Sequence, residues 1–411
     1  MAASWKEDLS FTDRSTNIFD LVKELKKQTT PPDNVLGEAQ RLEQDCLDRA
    51  ATKAEYDAFC ITTIRSLLHK SASPEPAQDH LPPHLPPSNH PPIGPYQNPH
   101  HLTTTLNSTL YKAVDPTVTP SRLVCLKLTT LPAHPPHNPH LESHILSTLP
   151  PHPHILPYLS HFTEPSPATF ILVTPYFPLS YADYLIPSRF PSHPLSFHRL
   201  VLHQVTSALA HLHSHNILHR DIKPSNIHLS QLHPPHAILI DFSISYTSSS
   251  PSLTTETPTH LHHEIGTSSY RAPELLFGSR SYNNGVDLWA LGCIVAQVLR
   301  GGEELFDGGE MGTELGLISS MFRTLGTPGA DNWEESGECP DWGKMGFVEF
   351  PRRGWGEVLE EEGRDGTYKE GVELVGKLLN WNSRQRLKAE EAVKHPFLQV
   401  SEEEVEVLKQ R

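Results

Sequence analysis

The stretch H-R-D-I-K-P-S-N, residues 219–226, decides the fold of this chain. It brings an arginine, an aspartate, a lysine and an asparagine into one short segment. The apolar-periodic stretch L-V-L-H-Q-V-T-S-A-L-A-H-L-H precedes it, and the short apolar run I-L-I, which ends at Asp241, follows it. This order predicts a long helix, then a loop, then a short hairpin.

Two further motifs lie downstream, R-A-P-E at 271–274 and D-x-W-x-x-G at 287–292. With the first stretch they make a chance match negligible, and the chain resembles eukaryotic protein kinases over about residues 99–400. The resemblance implies a bilobal α+β fold, with a β-rich N-lobe at about 99–176 and a helical C-lobe at about 177–400. The sequence agrees, because strand patterns dominate before residue 195 and helical patterns after it.

The regions outside this domain have their own patterns. Residues 1–70 carry three apolar stripes at helical spacing and predict a helical N-terminal extension, which packs on the chain or binds a partner. Residues 71–98 are rich in Pro and His and predict a linker. Residues 401–411 are left as a C-terminal tail.

Composition excludes several classes of protein. The net charge of −15 disfavours nucleic-acid binding. No apolar run has membrane-spanning length, and the N-terminus lacks the features of a signal peptide, so no membrane association is expected. The five cysteines form no C-x-x-C pair, which suits a reducing compartment and predicts a location in the cytoplasm, the nucleus or both.

Histidine and glycine are unevenly distributed. Of the 27 histidines, 26 lie between His69 and His263, and glycine is absent from Pro95 to Ile265. His-x-His patterns such as the one at 211–213 could bind a metal, but no Cys or carboxylate accompanies them at ligand spacing. Compositional drift is the simpler explanation.

The resemblance implies how the central residues act in phosphoryl transfer, which requires positioning and charge neutralisation above all. Asp221 accepts the proton of the substrate hydroxyl, and Lys223 contacts the transferred phosphate. Asn226 and Asp241 hold Mg²⁺. A lysine two residues after the catalytic aspartate is typical of Ser/Thr-specific kinases, so the expected activity is that of a serine/threonine kinase.

The nucleotide-binding residues also follow from the resemblance. Lys127, in V-C-L-K, anchors the α and β phosphates of ATP, and Glu142 is its expected partner on the next helix. The alternative is that both are ordinary surface residues. Pro175 and Phe177, at the end of the strand T-F-I-L-V-T-P-Y-F, belong to the same nucleotide site.

Four residues have expected structural roles. Glu274 pairs with Arg386 and fixes the architecture of the C-lobe. Asp287 orients the catalytic loop through backbone hydrogen bonds. Arg220 is the residue that a phosphate in the activation segment would hold.

The sequence departs from the kinase family at positions where the family normally has glycine. The glycine-rich loop aligns with Thr103, Thr105 and Ser108, and Ser243 replaces the glycine of D-F-G. Hydroxyl residues can still offer backbone N–H groups to phosphate but should cover ATP less tightly, so we predict weaker nucleotide binding. Because all the groups that touch phosphate, metal and hydroxyl are present, an active enzyme is favoured over a decayed one.

Two longer stretches of sequence indicate which group of protein kinases the chain resembles. The stretches G-T-S-S-Y-R-A-P-E-L-L-F-G and L-G-L-I-S-S-M-F-R-T-L-G-T-P are similar to cyclin-dependent kinases. Nothing before Glu142 resembles their cyclin-binding helix, however. Leu106 and Asn107 replace their inhibitory Thr-Tyr pair.

The activation segment departs as well. Aligning H-H-E-I-G-T with its counterpart places His262 at the activating threonine, although Thr255, Thr257 or Thr259 could substitute. A kinase that requires neither cyclin nor phosphate resembles the fungal monomeric CDK-activating kinases. The resemblance implies a cyclin-dependent kinase as protein substrate and no obligate cyclin partner. The alternatives are a kinase of this branch with other substrates and a pseudokinase scaffold that binds partners through its N-terminal helices.

Overall fold

The computed structural model describes residues 34–50, 85, 87–165, 168–188, 190, 193–309, 312–329 and 331–410, together with isolated positions between 14 and 63. The chain divides into two compact units, Met1–Leu81 and Pro82–Arg411. Most of the predicted linker before residue 87 lies outside the described residues. The third apolar stripe of the predicted extension consists of Phe59, Thr63, Ile64 and Leu67, and the last two also lie outside the described residues.

The N-terminal unit is mostly helical where its secondary structure is described. Helix α1, Val35–Arg49, begins after Asn34, whose side chain accepts a hydrogen bond from the Gly37 amide. This cap satisfies one of the donors that a helix start leaves free. The Glu43 carboxylate of this helix is buried and pairs with the Arg14 guanidinium at 2.8 and 2.7 Å. The predicted helical extension is confirmed in this helix.

Five antiparallel strands form the main sheet of the second unit, in the order β1-β2-β3-β5-β4. Their bounds are β1 Gln97–Thr104, β2 Thr109–Asp115, β3 Arg122–Thr130, β4 Ser160–Pro165 and β5 Ala168–Pro175. On β3, Val124 and Leu126 are buried in an apolar cluster on one face of the sheet. Because side chains alternate along a strand, Cys125 and Lys127 face the other way, toward the cavity of the candidate site.

Helix α2, Pro139–Thr148, packs against β5. Its N-cap is Asn138, whose side chain accepts a hydrogen bond from the Leu141 amide at 2.9 Å, and a proline in the first position suits a helix start. Glu142 lies in the first turn and is only 2 % exposed. A buried carboxylate requires a partner, so this helix already implies a cation beside it.

The remainder of the second unit is mainly helical. Its helices are α3 Leu195–Ser214, α4 Pro273–Leu276, α5 Gly285–Leu299, α6 Glu314–Leu325, α7 Trp355–Val358, α8 Gly366–Leu378, α9 Ala389–Ala392 and α10 Glu402–Lys409. Every residue of α5 is buried, as its nearly all-apolar sequence predicts. The strand-rich first half and helix-rich second half confirm the bilobal α+β class. None of the described helices has the combined length and apolar character needed to cross a bilayer.

Short strands carry the loops of the candidate site. They are β6 Leu179–Ser180, β7 Ile217–Leu218, β8 Ile227–Leu232, β9 Pro235–Leu239 and β10 Tyr246–Thr247. Strands β8 and β9 form the predicted hairpin, and β7 pairs with β10. The loop 219–226 therefore runs from β7 to β8, and Asp241 follows β9.

Most of the stretch predicted as a tail is ordered helix. Ser401 and Glu404 form a reciprocal capping box at the start of α10. Glu404 also pairs with Arg199 of α3 at 2.7 Å, and Leu408 is 2 % exposed. The cap satisfies the free donors of a short helix, and the buried leucine fixes it on the second unit.

Helix α3 buries a neutral histidine. His198 stacks on Phe190 at 4.5 Å, and its Nδ1 lies 3.0 Å from the Tyr181 hydroxyl. Burial lowers the pKa of His198 to about 3. In the unfolded chain the pKa of a histidine is about 6.5, so the unfolded state gains a proton as the pH falls while the folded state does not. The contribution of His198 to stability therefore decreases on acidification.

We expect His198 alone to lower the free energy of unfolding by about 2 kcal/mol between pH 7 and pH 5. His198→Gln, which is neutral at both pH values, should remove this part of the pH dependence whatever its stability at pH 7. Urea denaturation at the two pH values measures it, with exposed His134→Gln as the matched control. Equal pH dependence in His198→Gln and the unmodified chain would contradict the argument.

Candidate active site

One buried carboxylate fixes the path of the loop 219–226. Asp287 accepts hydrogen bonds from the backbone N–H groups of His219 and Arg220, at 2.9 and 2.8 Å. His213 donates a third from Nε2 at 3.0 Å. Burial disfavours the charged form, but these donors outweigh burial and hold the pKa of Asp287 below its usual range. The loop is thus held at two consecutive residues by a charged acceptor.

The predicted catalytic residues of this loop lie together. Lys223 Nζ is 2.7 Å from Asp221 Oδ2, and Asn226 Nδ2 donates to the same oxygen at 2.8 Å. The Thr267 hydroxyl donates to Asp221 Oδ1 at 2.8 Å and accepts from Lys223 at 2.7 Å. Both oxygens of Asp221 are therefore held in a fixed direction.

A second group of predicted residues meets across the sheet, helix α2 and the end of β9. Lys127 Nζ lies 2.8 and 3.0 Å from the two oxygens of Glu142 and 2.7 Å from Asp241 Oδ1. The Phe242 amide donates to Glu142 at 3.2 Å. Lys127 and Glu142 are thus partners within a shared site, and the surface alternative is wrong for both.

Electrostatics keep the lysine and the aspartate charged. Burial lowers the pKa of Lys127, but the adjacent Asp241 and Glu142 carboxylates outweigh burial and raise it. Burial likewise opposes ionisation of Asp241, yet the Lys127 cation lowers the pKa of that carboxyl strongly. For Glu142 burial dominates and its pKa is raised despite the contact, because one ammonium group is shared by two carboxylates.

The backbone explains why serine fits in the D-F-S triplet. The left-handed φ, 65°, occurs at Asp241, and Ser243 is not among the positive-φ residues. Phe242 is buried and packs edge-on against the His219 ring at 4.8 Å. Burial lowers the pKa of His219, whose neutral ring lies 3.0 Å from the Ile240 carbonyl. Position 243 does not require glycine in this arrangement.

The turn between β1 and β2 corrects one expectation. Hydroxyl residues were expected to leave backbone N–H groups free for phosphate. Instead, Thr105 Oγ1 accepts the N–H groups of Asn107 at 3.3 Å and Ser108 at 3.1 Å. The Thr105 amide in turn donates to the Ser108 carbonyl at 2.9 Å. The expectation is wrong for these two amides because a threonine side chain competes for them.

A cavity of about 750 Å³ lies between the main sheet and the catalytic loop. All the predicted catalytic, nucleotide-binding and metal-binding residues line it: Thr103, Thr105, Ser108, Lys127, Glu142, Pro175, Phe177, Asp221, Lys223, Asn226 and Asp241. Leu110, Leu172 and Ile240 contribute apolar walls. Apolar walls beside clustered charges suit a purine ring with a phosphate tail.

The charges in this cavity fit a divalent cation. Four carboxylates, from Glu142, Asp221, Asp241 and Glu264, line the cavity with two ammonium groups, from Lys127 and Lys223, so negative charge is in excess before any phosphate enters. Carboxylate and amide oxygens are the donors that Mg²⁺ prefers, usually only one or two of them together with substrate phosphates. Asp241 and Asn226 are the residues that would hold Mg²⁺, which would neutralise phosphate charge.

The alternative metal site at the His-x-His pattern has no support. His213 is bound to Asp287, and His211 Nε2 lies 2.9 Å from the Pro150 carbonyl. Within the described part of the chain, no group of three His, Cys, Asp or Glu side chains is placed to hold a metal ion. Both histidines have structural contacts instead.

The predicted pair of Glu274 and Arg386 lies in the helical half. Arg386 donates to both Glu274 oxygens, at 2.6 and 2.8 Å, and its side chain has no solvent exposure. It also donates to the carbonyls of Asn380 and Gly285. The guanidinium therefore joins α4, the start of α5 and the loop after α8.

The activation segment differs from the alignment. The guanidinium of Arg220 is held by Glu256, a residue that the sequence analysis does not single out. The three candidate phosphorylation sites, Thr255, Thr257 and Thr259, are exposed. A signal for Glu256 exists in the sequence, because it is the only acidic residue between Asp241 and Glu264.

Two other site residues escape the sequence analysis. Thr267 bridges Asp221 and Lys223, although it stands in a stretch used only to identify the branch. The side chain of Asn138 donates to the Leu253 carbonyl at 2.6 Å, and its backbone N–H donates to the Ser243 carbonyl at 2.9 Å. Its position just before a proline and a helical pattern is a typical N-cap signal.

Comparison with known proteins agrees with this geometry. The family model described as "Protein kinase domain" matches residues 110–398. The chain is 36 % identical over 227 residues to serine/threonine-protein kinase csk1 of Schizosaccharomyces pombe, covering 55 % of this chain and 71 % of csk1. It is 35 % identical over 189 residues to cyclin-dependent kinase 20 of Danio rerio, covering 46 % of this chain and 50 % of that protein. The rat cyclin-dependent kinase 20 is 34 % identical over 196 residues, covering 48 % and 52 %. The chain thus spans about half the length of these two proteins.

The self-capped turn predicts a gain on removing one hydroxyl. Thr105→Val keeps the shape of the side chain but frees the Asn107 and Ser108 amides for phosphate, so the KM for ATP should fall roughly fivefold, equivalent to about 1 kcal/mol. Thr105→Ser retains the hydroxyl and serves as the control. Steady-state kinetics at varied ATP measures both. A KM for Thr105→Val that equals or exceeds the control would refute the role of the turn.

The buried Glu274–Arg386 pair predicts a large loss of stability. Glu274→Gln leaves a buried guanidinium without its counter-charge, which should cost about 3–5 kcal/mol. Glu338→Gln removes one of the two carboxylate partners of the exposed Arg384 and should change little. Denaturant unfolding of the two variants compares them directly, and similar midpoints would show that burial does not govern these pairs.

Proposed function

We propose that this chain, which belongs to the protein kinase family and is a CDK-like serine/threonine kinase, phosphorylates the activation-segment threonine of cyclin-dependent kinases. We further propose that it does so without a cyclin. One observation carries the catalytic part of this proposal. Lys127, Glu142 and Asp241 are in contact, and they face the same cavity as Asp221 and Lys223. That is the arrangement that phosphoryl transfer from ATP requires.

The reaction follows from these positions. The substrate hydroxyl oxygen bonds to the γ-phosphorus of ATP while the bond from that phosphorus to the β,γ-bridging oxygen breaks, and ADP leaves. Asp221, held by Thr267 and Asn226, accepts the hydroxyl proton. Lys223 stabilises charge on the transferred group, and Lys127 orients the remaining phosphates. Mg²⁺ would supply further neutralisation of phosphate charge.

Cyclin independence is supported by contacts within the chain. A cyclin would be needed if α2 required an external partner to bring Glu142 to Lys127. Here two hydrogen bonds from Asn138, to the carbonyls of Leu253 and Ser243, tie the start of α2 to the activation segment. The chain therefore supplies the tether itself.

The protein substrate is supported by likeness alone. The C-lobe stretches similar to cyclin-dependent kinases, the altered activation segment and the missing cyclin-binding helix together resemble the fungal monomeric CDK-activating kinases. Five cysteines without disulfide partners are compatible with the reducing cytoplasm or nucleus, where such substrates would be met.

Phosphate transfer from labelled ATP by the purified chain, without cyclin, tests the proposal. The substrates are a cyclin-dependent kinase with its activation-segment threonine and the same protein with that threonine changed to alanine. We expect label only on the first, and a loss of about 10²–10⁴-fold in Asp221→Asn, the contribution typical of a general base.

The outcomes separate the candidate functions. Label on generic substrates alone would retain the kinase and reject the CDK substrate. No label above Asp221→Asn would favour a scaffold. In that case ATP with Mg²⁺ should also fail to raise the melting temperature, because only a bound ligand stabilises the folded state.

A further inference from the structure

Arg220 is occupied by an acidic residue from the activation segment. Its guanidinium has no solvent exposure and donates from Nη1 and Nη2 to the two carboxylate oxygens of Glu256, both at 2.8 Å. The rings of Tyr246 and Tyr282 lie 4.8 and 5.4 Å from the guanidinium carbon. From this pair we infer that Glu256 permanently does what a phosphorylated threonine does in kinases that require activation, so that the activation segment is ordered without phosphate. The inference rests on the proposed kinase activity and concerns its regulation.

The Glu256 carboxylate joins separate parts of the chain. Its Oε2 also accepts the His262 amide at 2.8 Å, and the Glu256 amide donates to the Thr254 hydroxyl at 3.1 Å. His262 is the residue that sequence alignment places at the activating threonine. One side chain therefore links the catalytic loop to two points of the segment, which is how a phosphate orders such a segment.

The charges around Arg220 match a carboxylate. Helix α2 is tied to the activation segment through its N-cap residue Asn138. Its sequence, P-H-L-E-S-H-I-L-S-T, contains no lysine or arginine that could add a second cation beside Glu256. Burial raises the pKa of Glu256, but the Arg220 guanidinium outweighs burial and lowers it, so the carboxylate is ionised at neutral pH. One cation and one anion then balance, whereas a phosphate would bring a charge of about −1.5 to −2 into the same place.

Gly266 and Thr267 lie between the Arg220–Glu256 contact and the reacting groups. Gly266 has φ 79°, and a Cβ there would lie 3.3 Å from the Arg220 carbonyl. The next residue, Thr267, bonds to Asp221 and Lys223. Gly266 thus lies against the backbone of Arg220, so the inferred route from Glu256 to the Asp221 carboxylate runs through Gly266 and Thr267, and Glu256 is a positioning residue for the reaction.

Activity of the unphosphorylated chain is the first test. The full chain is produced in bacteria and treated with phosphatase, and intact mass confirms that no phosphate remains. Its kcat should equal that of the untreated chain. The triple variant Thr255→Ala, Thr257→Ala, Thr259→Ala should match it, because these side chains are exposed. Loss of activity after phosphatase treatment would overturn the inference.

Variants of the acidic residue are the second test. Glu256→Gln and Glu256→Ala should lower kcat at least about tenfold and change the KM for ATP less, since the nucleotide contacts remain. Acetate or inorganic phosphate should restore part of the kcat of Glu256→Ala by binding beside Arg220. The double variant Arg220→Met, Glu256→Ala should not respond to either anion. Unchanged kcat in Glu256→Ala, or a loss that neither anion reverses, would refute the role of this charge.

Hydrogen exchange separates failure of this inference from failure of the proposed function. If the chain transfers no phosphate at all, the proposed activity fails, but the order of residues 246–267 can still be measured. Glu256→Ala should exchange faster than the unmodified chain in this segment, and acetate should slow the exchange. Equal exchange in the two proteins would overturn the inference regardless of activity.

Discussion

The buried carboxylate of Asp287 is the constraint on which the site depends. A charge away from water persists because three donors, from His219, Arg220 and His213, share it. These bonds hold Arg220 at φ 72°, a conformation that is costly for a residue with a side chain. This turn of the backbone lets the arginine reach the activation segment while Asp221, the next residue, lines the cavity. A single hydrogen-bonded turn thus positions both the catalytic residue, Asp221, and Arg220, which contacts the activation segment.

The scarcity of glycine is compatible with this site because Arg220 and Asp241, the two residues at the site with a left-handed φ, are held by charged partners. Asp241 adopts φ 65° while its carboxylate is fixed by Lys127, and Ser243 beside it takes an ordinary conformation. The glycine-free tract ends at Gly266, where the left-handed φ and the approach to the Arg220 carbonyl leave little room for a side chain. Glycine returns where the backbone requires it.

The sequence predicts the features for which local pattern determines position. The side-chain alternation along β3 places Lys127 on the cavity side of the sheet, and the nearly apolar stretch of α5 predicts a buried helix. Glu256 could not be placed this way, because the alignment of H-H-E-I-G-T assigned His262 by register. Which side chain reaches the catalytic-loop arginine depends instead on the path of the segment through space. The self-capping of Thr105 was missed for a related reason, since a hydroxyl that competes for backbone amides is recognisable only in the formed turn.

A carboxylate is a weaker anchor than a phosphate, and the surroundings of Glu256 show how the difference is reduced. A phosphate offers three acceptor oxygens, whereas the carboxylate offers two, and Nε of Arg220 is left buried without a hydrogen-bond partner. The faces of Tyr246 and Tyr282 beside the guanidinium supply cation–π attraction that requires no acceptor. The segment thereby gains a fixed anchor whose strength does not depend on another enzyme. Under the inference that Glu256 replaces the phosphate, the contact with Arg220 forms without phosphorylation of the activation segment.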